Sequence, residues 1–245
     1  TMALGAAKYL AETRNFAGRV AFLFQPAEED GGGGNVMVEE GVMDRFNIAR
    51  VFGIHNAPGV PLGHFQTTPG PLMASVDTAW VTVTGRGGHG ATPHDCIDPV
   101  VAVVAMVQAV QTIIPRNVYA MDEAVISVTQ IHAGTASNII PETATFCATI
   151  RSFTPQVRDL LKRRVHEIVA GHAAAFNVEA TVDYEWGYPP TVNDAEQTDF
   201  AAAVAVEVSG EAAVNARSTR EMGSEDFSYM LQVRPGAYLF MGIGP

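Results

Sequence analysis

The chain has 245 residues, of which 47% are hydrophobic, so it is long enough for one large domain or two ordinary ones with real cores. Only 17% of the residues are charged and the net charge is −11, which excludes wholesale disorder and argues against a nucleic-acid partner, because phosphate binding needs clustered lysine and arginine. The longest uninterrupted apolar run has eight residues, 100–107, which is too short to span a membrane, so no membrane association is expected.

Residues 1–75 alternate between helix and strand patterns. We predict helices over 2–13 and 36–42, apolar strands over 20–24 and 51–54, and a flexible glycine turn over 31–34. Strand, helix and strand joined by short links predict parallel strands with a right-handed crossover between them.

Residues 76–188 have a different character. Asp98-Pro99 and Thr154-Pro155 each combine a helix N-cap with a proline in the first turn, and they predict helices to about 114 and 176. Strands are predicted over 80–84, 124–131, 143–152 and 178–184. The order β-α-β-β-α-β is that of a ferredoxin-like module.

From residue 189 to residue 245 the helix and strand style of the first region returns. We predict a helix over 198–208, a short helix over 224–231 and a buried strand over 237–241. The simplest organisation is one α/β domain, formed by 1–75 and 189–245, into which a second domain, 76–188, is inserted.

Acidic and histidine residues follow the two predicted strands of the first region. Glu28 and Glu29 come after strand 20–24, and His55 comes after strand 51–54. Ligands of open α/β sheets bind at the carboxyl ends of strands, and a cation would relieve the repulsion between adjacent carboxylates. One glutamate would then ligate a metal while its neighbour moves protons. The competing interpretation is a solvated acidic turn and a histidine satisfied by packing.

The glycine run, the histidine cluster and the cysteines give weaker indications of a functional site. The glycine run lacks the Gly-Lys-Ser/Thr ending of a phosphate-binding loop. His89, His94 and Cys96 lack the second ligand pair of a structural zinc site, so we favour a catalytic or substrate-contact role for His89 alone, with packing roles for the other two. Cys96 and Cys147 are too few for a disulfide framework, and we interpret them as reduced thiols of a cytoplasmic protein.

Five short motifs occur in an order that resembles a known enzyme family. They are Phe24–Glu29, Gly53–Asn56, Gly87–His89, Ser137–Pro141 and Met222–Phe227. Together they resemble the hippurate hydrolase, N-acyl-amino-acid amidohydrolase and auxin-conjugate hydrolase family of metallopeptidase-like enzymes. The resemblance implies an α/β fold: a zinc-peptidase-like three-layer catalytic domain with an inserted ferredoxin-like lid and dimerisation domain.

The resemblance also implies roles in catalysis and metal binding. Glu28 would be the general base, and Glu29 and His55 would be metal ligands. Two divalent metal ions, zinc or manganese, would bind in the intact protein. The implied reaction is hydrolysis of the amide bond of N-acyl amino acids.

Further implied roles belong to the lid. His89 resembles the lid histidine that reaches the active site of a partner subunit and stabilises the oxyanion, which implies a homodimer through the lid domain. Asn138 and Arg151 match lid positions that hold the carboxylate of the small-molecule substrate. Glu225 lies in a motif near the pocket.

The sequence departs from the family pattern in its ligand set. Family members carry a Cys-Gly-His motif just before the helix at 2–13 and one more histidine ligand after the last predicted strand, and neither is present. Because catalytic metal sites normally use at least three protein ligands, we expect this chain to be truncated at both ends and inactive by itself. Alternatives left open are a dipeptidase or diamino-acid deacylase of the same fold, and a non-catalytic binding module that has lost its metals.

Overall fold

Helices and strands alternate along the chain in the computed structural model, which describes residues 2–29 and 31–245. The helices are α1 Met2–Thr13, α2 Gly33–Glu39, α3 Val42–Arg45, α4 Pro99–Val110, α5 Ile113–Asn117, α6 Pro155–Phe176, α7 Ala195–Ser209 and α8 Phe227–Val233. The strands are β1 Val51–Ala57, β2 Phe65–Gln66, β3 Gly70–Met73, β4 Asp77–Thr84, β5 Gly88–His89, β6 Ala124–Ala133, β7 Ile139–Ile140, β8 Thr143–Ser152, β9 Glu179–Trp186, β10 Thr191–Asn193, β11 Val214–Asn215 and β12 Gly236–Gly242. None of these helices is both long and apolar enough to cross a membrane within the residues described.

Four long strands form an antiparallel sheet in the order β6-β8-β4-β9, on which α4 and α6 pack. Along β4, Ala79, Val81 and Val83 are buried while Trp80 is exposed, as expected for a strand with one face on a core. The chain order of these elements is β-α-β-β-α-β, so the predicted ferredoxin-like arrangement is confirmed.

The two predicted helix caps of this region are present. The Asp98 carboxylate accepts from the backbone N–H of Val100 at 2.8 Å, and the Thr154 hydroxyl accepts from the N–H of Val157 at 3.3 Å. Both prolines stand in the first helical turn, where a missing N–H costs no hydrogen bond. These local signals explain why both helices begin where the sequence predicts.

A second sheet, which we call the mixed sheet, has the order β1-β12-β2-β11. β1 pairs with β12 in parallel, and β12 pairs with β2 in antiparallel orientation. β12 is buried along most of its length and contacts both α7 and α8, which is typical of a strand covered on both faces. A mixed α/β fold with helices around this sheet is therefore confirmed.

Two short segments, 74–76 and 187–190, connect the antiparallel sheet to the rest of the chain, and we call them the crossing segments. They are bonded to each other through the N–H of Val76, which donates to the carbonyl of Tyr188 at 3.0 Å. The N–H of Ser75 also donates to the carbonyl of Ser152 at 2.7 Å. The division into domains at 76 and 188 stays a prediction.

The predicted strand at 20–24 is wrong. Residues 19–27 have no regular secondary structure, and Phe24 is 64% exposed. A strand needs a neighbouring backbone to bond, and among the described residues no strand pairs with this segment. The parallel neighbour of β1 is instead β12, so the predicted crossover between 20–24 and 51–54 is wrong as well.

Residues 31–34 were predicted to be a flexible glycine turn, and this prediction is wrong for the last two of them. Gly33 and Gly34 are buried in the first turn of α2. A Cβ on Gly33 would lie 2.0 Å from the carbonyl oxygen of Pro26, and one on Gly34 would lie 2.8 Å from the carbonyl oxygen of Asp226. These glycines therefore permit close backbone approach rather than mobility.

Candidate active site

Glu28 lies in a tight loop between the extended segment 19–27 and α2. Ala27 has φ 54° and Gly32 has φ 61°, both in the left-handed region. That conformation costs a residue with a Cβ about 1–2 kcal/mol, so Ala27 must be held in place by surrounding contacts. Glu28 is half-buried in this loop while Glu29 is exposed, so the predicted solvated acidic turn holds for Glu29 but not for Glu28.

Asp226 anchors this loop from the other side of the chain. Its carboxylate accepts from Gln25 Nε2 at 2.7 and 2.6 Å and from the N–H of Gly34 at 2.7 Å. Asp226 is completely buried, and these donors satisfy its oxygens. A residue 201 positions away from Gln25 thus fixes both ends of the Glu28 loop.

Glu225 is held in the same way by the mixed sheet. Its Oε2 accepts from the Tyr238 hydroxyl at 2.5 Å and its Oε1 accepts from the N–H of Phe227 at 3.2 Å. Tyr238 stands on β12, opposite Gly53 of β1. Glu225 is thereby pinned between α8 and β12, close to Glu28.

The acidic groups perturb one another. Carboxylate oxygens of Glu28, Glu225 and Asp226 lie within 4.8 Å of each other. Burial, followed by the charges of Glu225, Glu29 and Asp226, raises the pKa of Glu28 to about 7, while His55 lowers it. Burial also raises the pKa of Glu225, although the bonds from Tyr238 and Phe227 oppose this. Among the described residues, His55 opposes the rise in the pKa of Glu28, and a bound cation would oppose it further.

His55 lies on β1 with its ring beside the mixed sheet. It stands opposite Phe240 in the register, and its ring centroid lies 6.4 Å from that of Tyr238. Its Nδ1 is 2.7 Å from the carbonyl oxygen of Asn56. When Nδ1 carries the proton and donates this bond, Nε2 keeps a free lone pair suited to a metal.

A cleft of about 600 Å³ opens beside these residues. Glu28, Glu29 and Ser224 line one side. The opposite side belongs to the antiparallel sheet and the crossing segments: Val76, Thr78, Glu185, Trp186, Gly187 and Tyr188. The cleft has the size of a small-molecule site and contains groups that can bind a cation and move a proton.

His89 and Asn138 lie together but far from this cleft. β5 pairs with β7, which places His89 opposite Ile139, and the N–H of Gly90 donates to the carbonyl of Asn138 at 2.8 Å. His89 comes after the end of β4, and Asn138 lies between the end of β6 and the start of β8. Both residues are therefore at the end of the antiparallel sheet that is remote from the crossing segments. β4 has eight residues and spans about 26 Å at the usual rise per residue, so the two side chains are not brought to Glu28 of the same chain.

Arg151 lies at the opposite end of the antiparallel sheet. It precedes Ser152, which bonds Ser75 of a crossing segment, and its Nη1 donates to the Thr149 hydroxyl at 2.6 Å. Burial lowers the pKa of Arg151, and the charge of Asp77 opposes this. The two residues expected to hold one substrate carboxylate, Asn138 and Arg151, are therefore separated within the chain.

Comparison with known proteins decides the family. A family model for peptidase family M20/M25/M40 matches residues 1–245. The chain belongs to this family. The family resemblance read from the five motifs is thereby confirmed.

The relatives of this chain include proteins named as a hydrolase and a deacetylase. The chain is 38% identical over 241 residues to a hippurate hydrolase of Campylobacter jejuni, covering 98% of this chain and 63% of that protein. It is 37% identical over 240 residues to an N-acetyl-L-cysteine deacetylase of Bacillus subtilis, covering 98% and 56%. The structure of the YXEP protein of Bacillus subtilis, a dinuclear metal-binding peptidase of the M20 family, matches with a TM-score of 0.80 and 29% identity, covering 98% and 60%. The chain thus spans about three fifths of the length of these relatives.

The side chains of this chain supply only part of a metal-binding site. The oxygens of Glu225 and Asp226 already accept protein hydrogen bonds, which makes them anchors of the loop. Glu29 and His55, the predicted ligands, both lie close enough to Glu28 to shift its pKa, but they belong to no group of three possible ligands among the described residues. Two such ligands are fewer than the three of a usual catalytic site.

Sequence reasoning missed Asp226 and Tyr188. Asp226 adjoins Glu225 in one of the five motifs, but nothing local indicates that it bonds Gln25. Tyr188 follows a predicted strand, and its hydroxyl donates to the backbone carbonyl of Glu28. The only signal visible in the sequence was that Tyr188 follows β9, where the chain leaves the antiparallel sheet.

Proposed function

We propose that this protein hydrolyses the amide bond of N-acyl amino acids, with Glu28 as the group that carries the proton. The observation that carries the proposal is the position of Glu28 on the wall of a cleft that also contains Glu29, with a carboxylate oxygen within 4.8 Å of oxygens of Glu225 and Asp226. Burial and these neighbouring charges raise the pKa of Glu28 to about 7 in metal-free protein. A general acid–base group works best when its pKa lies near the working pH. The names of the two curated relatives, hippurate hydrolase and N-acetyl-L-cysteine deacetylase, point to N-acylated amino acids as the substrate class.

Glu29 and His55, with at least one further ligand, would hold divalent cations, for which zinc and manganese are our candidates. When bound, two such cations acidify water and polarise the amide carbonyl. Glu28 accepts the proton of the attacking water and returns it to the departing amine. The bonds from Gln25 and Gly34 to Asp226 keep the loop of Glu28 in one conformation through both steps.

The separation of Arg151 from His89 and Asn138 supports a homodimer. We propose that His89 and Asn138 serve the active site of a second copy, where His89 stabilises the oxyanion, while Arg151 serves the site of its own chain. Each site then needs both copies, and the substrate carboxylate is held between Arg151 and the partner's Asn138. The cytoplasmic location stays a prediction.

The test compares Glu28→Gln with Glu185→Gln in metal-loaded protein. Glu185 lines the same cleft, and its Oε2 accepts from Trp80 Nε1 at 3.3 Å on the side of the antiparallel sheet. We expect Glu28→Gln to abolish turnover of benzoyl-, acetyl- and indoleacetyl-amino acids while its metal content, measured by elemental analysis, stays near that of the parent. Retained turnover in Glu28→Gln would exclude Glu28 as the base.

A further inference from the structure

Tyr188 joins a crossing segment to the loop of Glu28. Its hydroxyl donates to the carbonyl oxygen of Glu28, the only hydrogen bond described for that carbonyl within residues 2–29 and 31–245. Its ring lies against Gly32, where a Cβ would come within 3.1 Å of ring atom Cε1. Tyr188 therefore contacts the loop through both its ring and its hydroxyl.

The backbone that carries Tyr188 is fixed by a buried ion pair. Arg158 donates from Nε to Asp77 Oδ2 at 2.9 Å and from Nη2 to Asp77 Oδ1 at 2.5 Å, and Asp77 is completely buried. Asp77 also accepts from the N–H of Gly187 at 3.2 Å, and Arg158 Nη2 donates to the carbonyl of Gly187 at 2.8 Å. Both peptide groups of Gly187 are thus held by the first residue of β4 and by α6.

These contacts form a continuous chain from the antiparallel sheet to the proton carrier. Asp77 and Arg158 orient Gly187, and Gly187 orients Tyr188. Tyr188 then holds the peptide of Glu28, next to the left-handed Ala27. A rotation of the antiparallel sheet relative to the crossing segments would move Asp77 and Arg158, and through their bonds to Gly187 it would displace the Tyr188 hydroxyl.

We propose that Tyr188 is a positioning residue that couples the orientation of the lid, residues 77–186, to the placement of Glu28. The proposal rests on the proposed function, since it takes Glu28 as the general base. Its consequence is that the base is aligned in one lid orientation and released in others. Catalysis is sensitive to such displacements, since about 1 Å can cost a hundredfold in rate.

The first experiment compares Tyr188→Phe with Tyr119→Phe in metal-loaded protein. Tyr119 is the control, because its side chain is 69% exposed and it lies outside the crossing segments and the Glu28 loop. For Tyr188→Phe we expect kcat to fall roughly tenfold with KM and metal content nearly unchanged. Tyr119→Phe is expected to keep both constants within about twofold. An unchanged kcat in Tyr188→Phe would overturn the proposal.

The second experiment does not depend on turnover. A glutamate-specific protease cleaves after Glu28 and Glu29, and the rate at these bonds reports how often the loop opens. We expect Tyr188→Phe to accelerate this cleavage several-fold relative to cleavage after the exposed Glu142, with no change for the control Tyr119→Phe. Equal cleavage rates in Tyr188→Phe and in the parent would show that the Tyr188 hydroxyl does not hold the Glu28 loop. If the parent protein shows no turnover, the proposed function fails while this comparison still decides whether Tyr188 holds the loop.

A double-mutant cycle tests the connection to the lid. Arg158→Lys keeps the positive charge but removes the fork that bonds Asp77 and Gly187 together. If the ion pair acts through Tyr188, Arg158→Lys accelerates cleavage after Glu28 in the parent and has little further effect in the Tyr188→Phe background. Additive effects of the two substitutions would contradict a shared route.

Discussion

The strands of the antiparallel sheet come from one continuous segment of the chain, whereas the strands of the mixed sheet come from distant parts of it. β4, β6, β8 and β9 have 8 to 10 residues each and all lie within 77–186, and their core is filled by α4 and α6 of the same segment. β2 and β11 of the mixed sheet have two residues each, and β1 pairs with β12 across more than 180 positions. The acidic site belongs to the mixed sheet. The segment with the larger buried hydrophobic cluster is thus separate from the residues that form the acidic site.

The largest expected effect tests where stability resides. Phe146 on β8 is 1% exposed in the core of the antiparallel sheet. Phe146→Ala should destabilise the protein by about 3–5 kcal/mol, because it leaves a cavity that the surrounding side chains fill only partly. Urea unfolding monitored by circular dichroism measures the loss. Val101→Ala, at an exposed position of α4, should change the free energy of unfolding by no more than about 0.5 kcal/mol.

A smaller effect is expected at the anchor of Glu225. Tyr238→Phe removes the donor to Glu225 Oε2, and leaving a buried acceptor without a partner costs about 1–3 kcal/mol. The pKa of Glu225 should rise further, because that hydrogen bond stabilises the charged form. The melting temperature and a proton titration of metal-free protein check both. A loss as large as that of Phe146→Ala would show that the two sheets do not differ in stability as we describe.

A helix cap of the antiparallel sheet region should contribute less. Asp98→Ala removes the carboxylate that accepts from Val100 and Val101, at a cost of about 1 kcal/mol. The exposed Asp183 on β9 caps nothing, so Asp183→Ala serves as the control. Thermal unfolding of both variants measures the difference, and equal stabilities would show that the cap is dispensable.

Stability should also have a slope with pH in metal-free protein, which no substitution is needed to reveal. The pKa of Glu28 is raised from 4.5 to about 7, so the folded protein keeps a proton that the unfolded chain has lost between these values. The stabilisation from this group is therefore complete below about pH 4.5 and disappears as the pH rises through 7. Glu28→Gln should flatten the slope, as measured by urea midpoints across the range after chelation. A slope that survives in Glu28→Gln would belong to another group.

The elements of the antiparallel sheet region were predictable because their signals are local. The strand predicted over 143–152 has those bounds in the structure, and α6 ends at Phe176 as predicted. Alternation with period two and a cap followed by proline are properties of a few neighbouring residues. The strand predicted at 20–24 failed for the opposite reason, because its apolar pattern carried no information about whether a partner strand would be there.

Sequence alone indicated the family and the α/β fold and predicted Glu28, Glu29, His55 and Glu225 as site residues, since short motifs and local periodicity carry that information. Tertiary structure alone decided that Asp226 anchors the Glu28 loop and that Tyr188 bonds the Glu28 carbonyl. It also decided that His89 and Asn138 lie away from Arg151. The physical reason is that a hydrogen bond between residues 160 or 201 positions apart leaves no trace in the local pattern at either end.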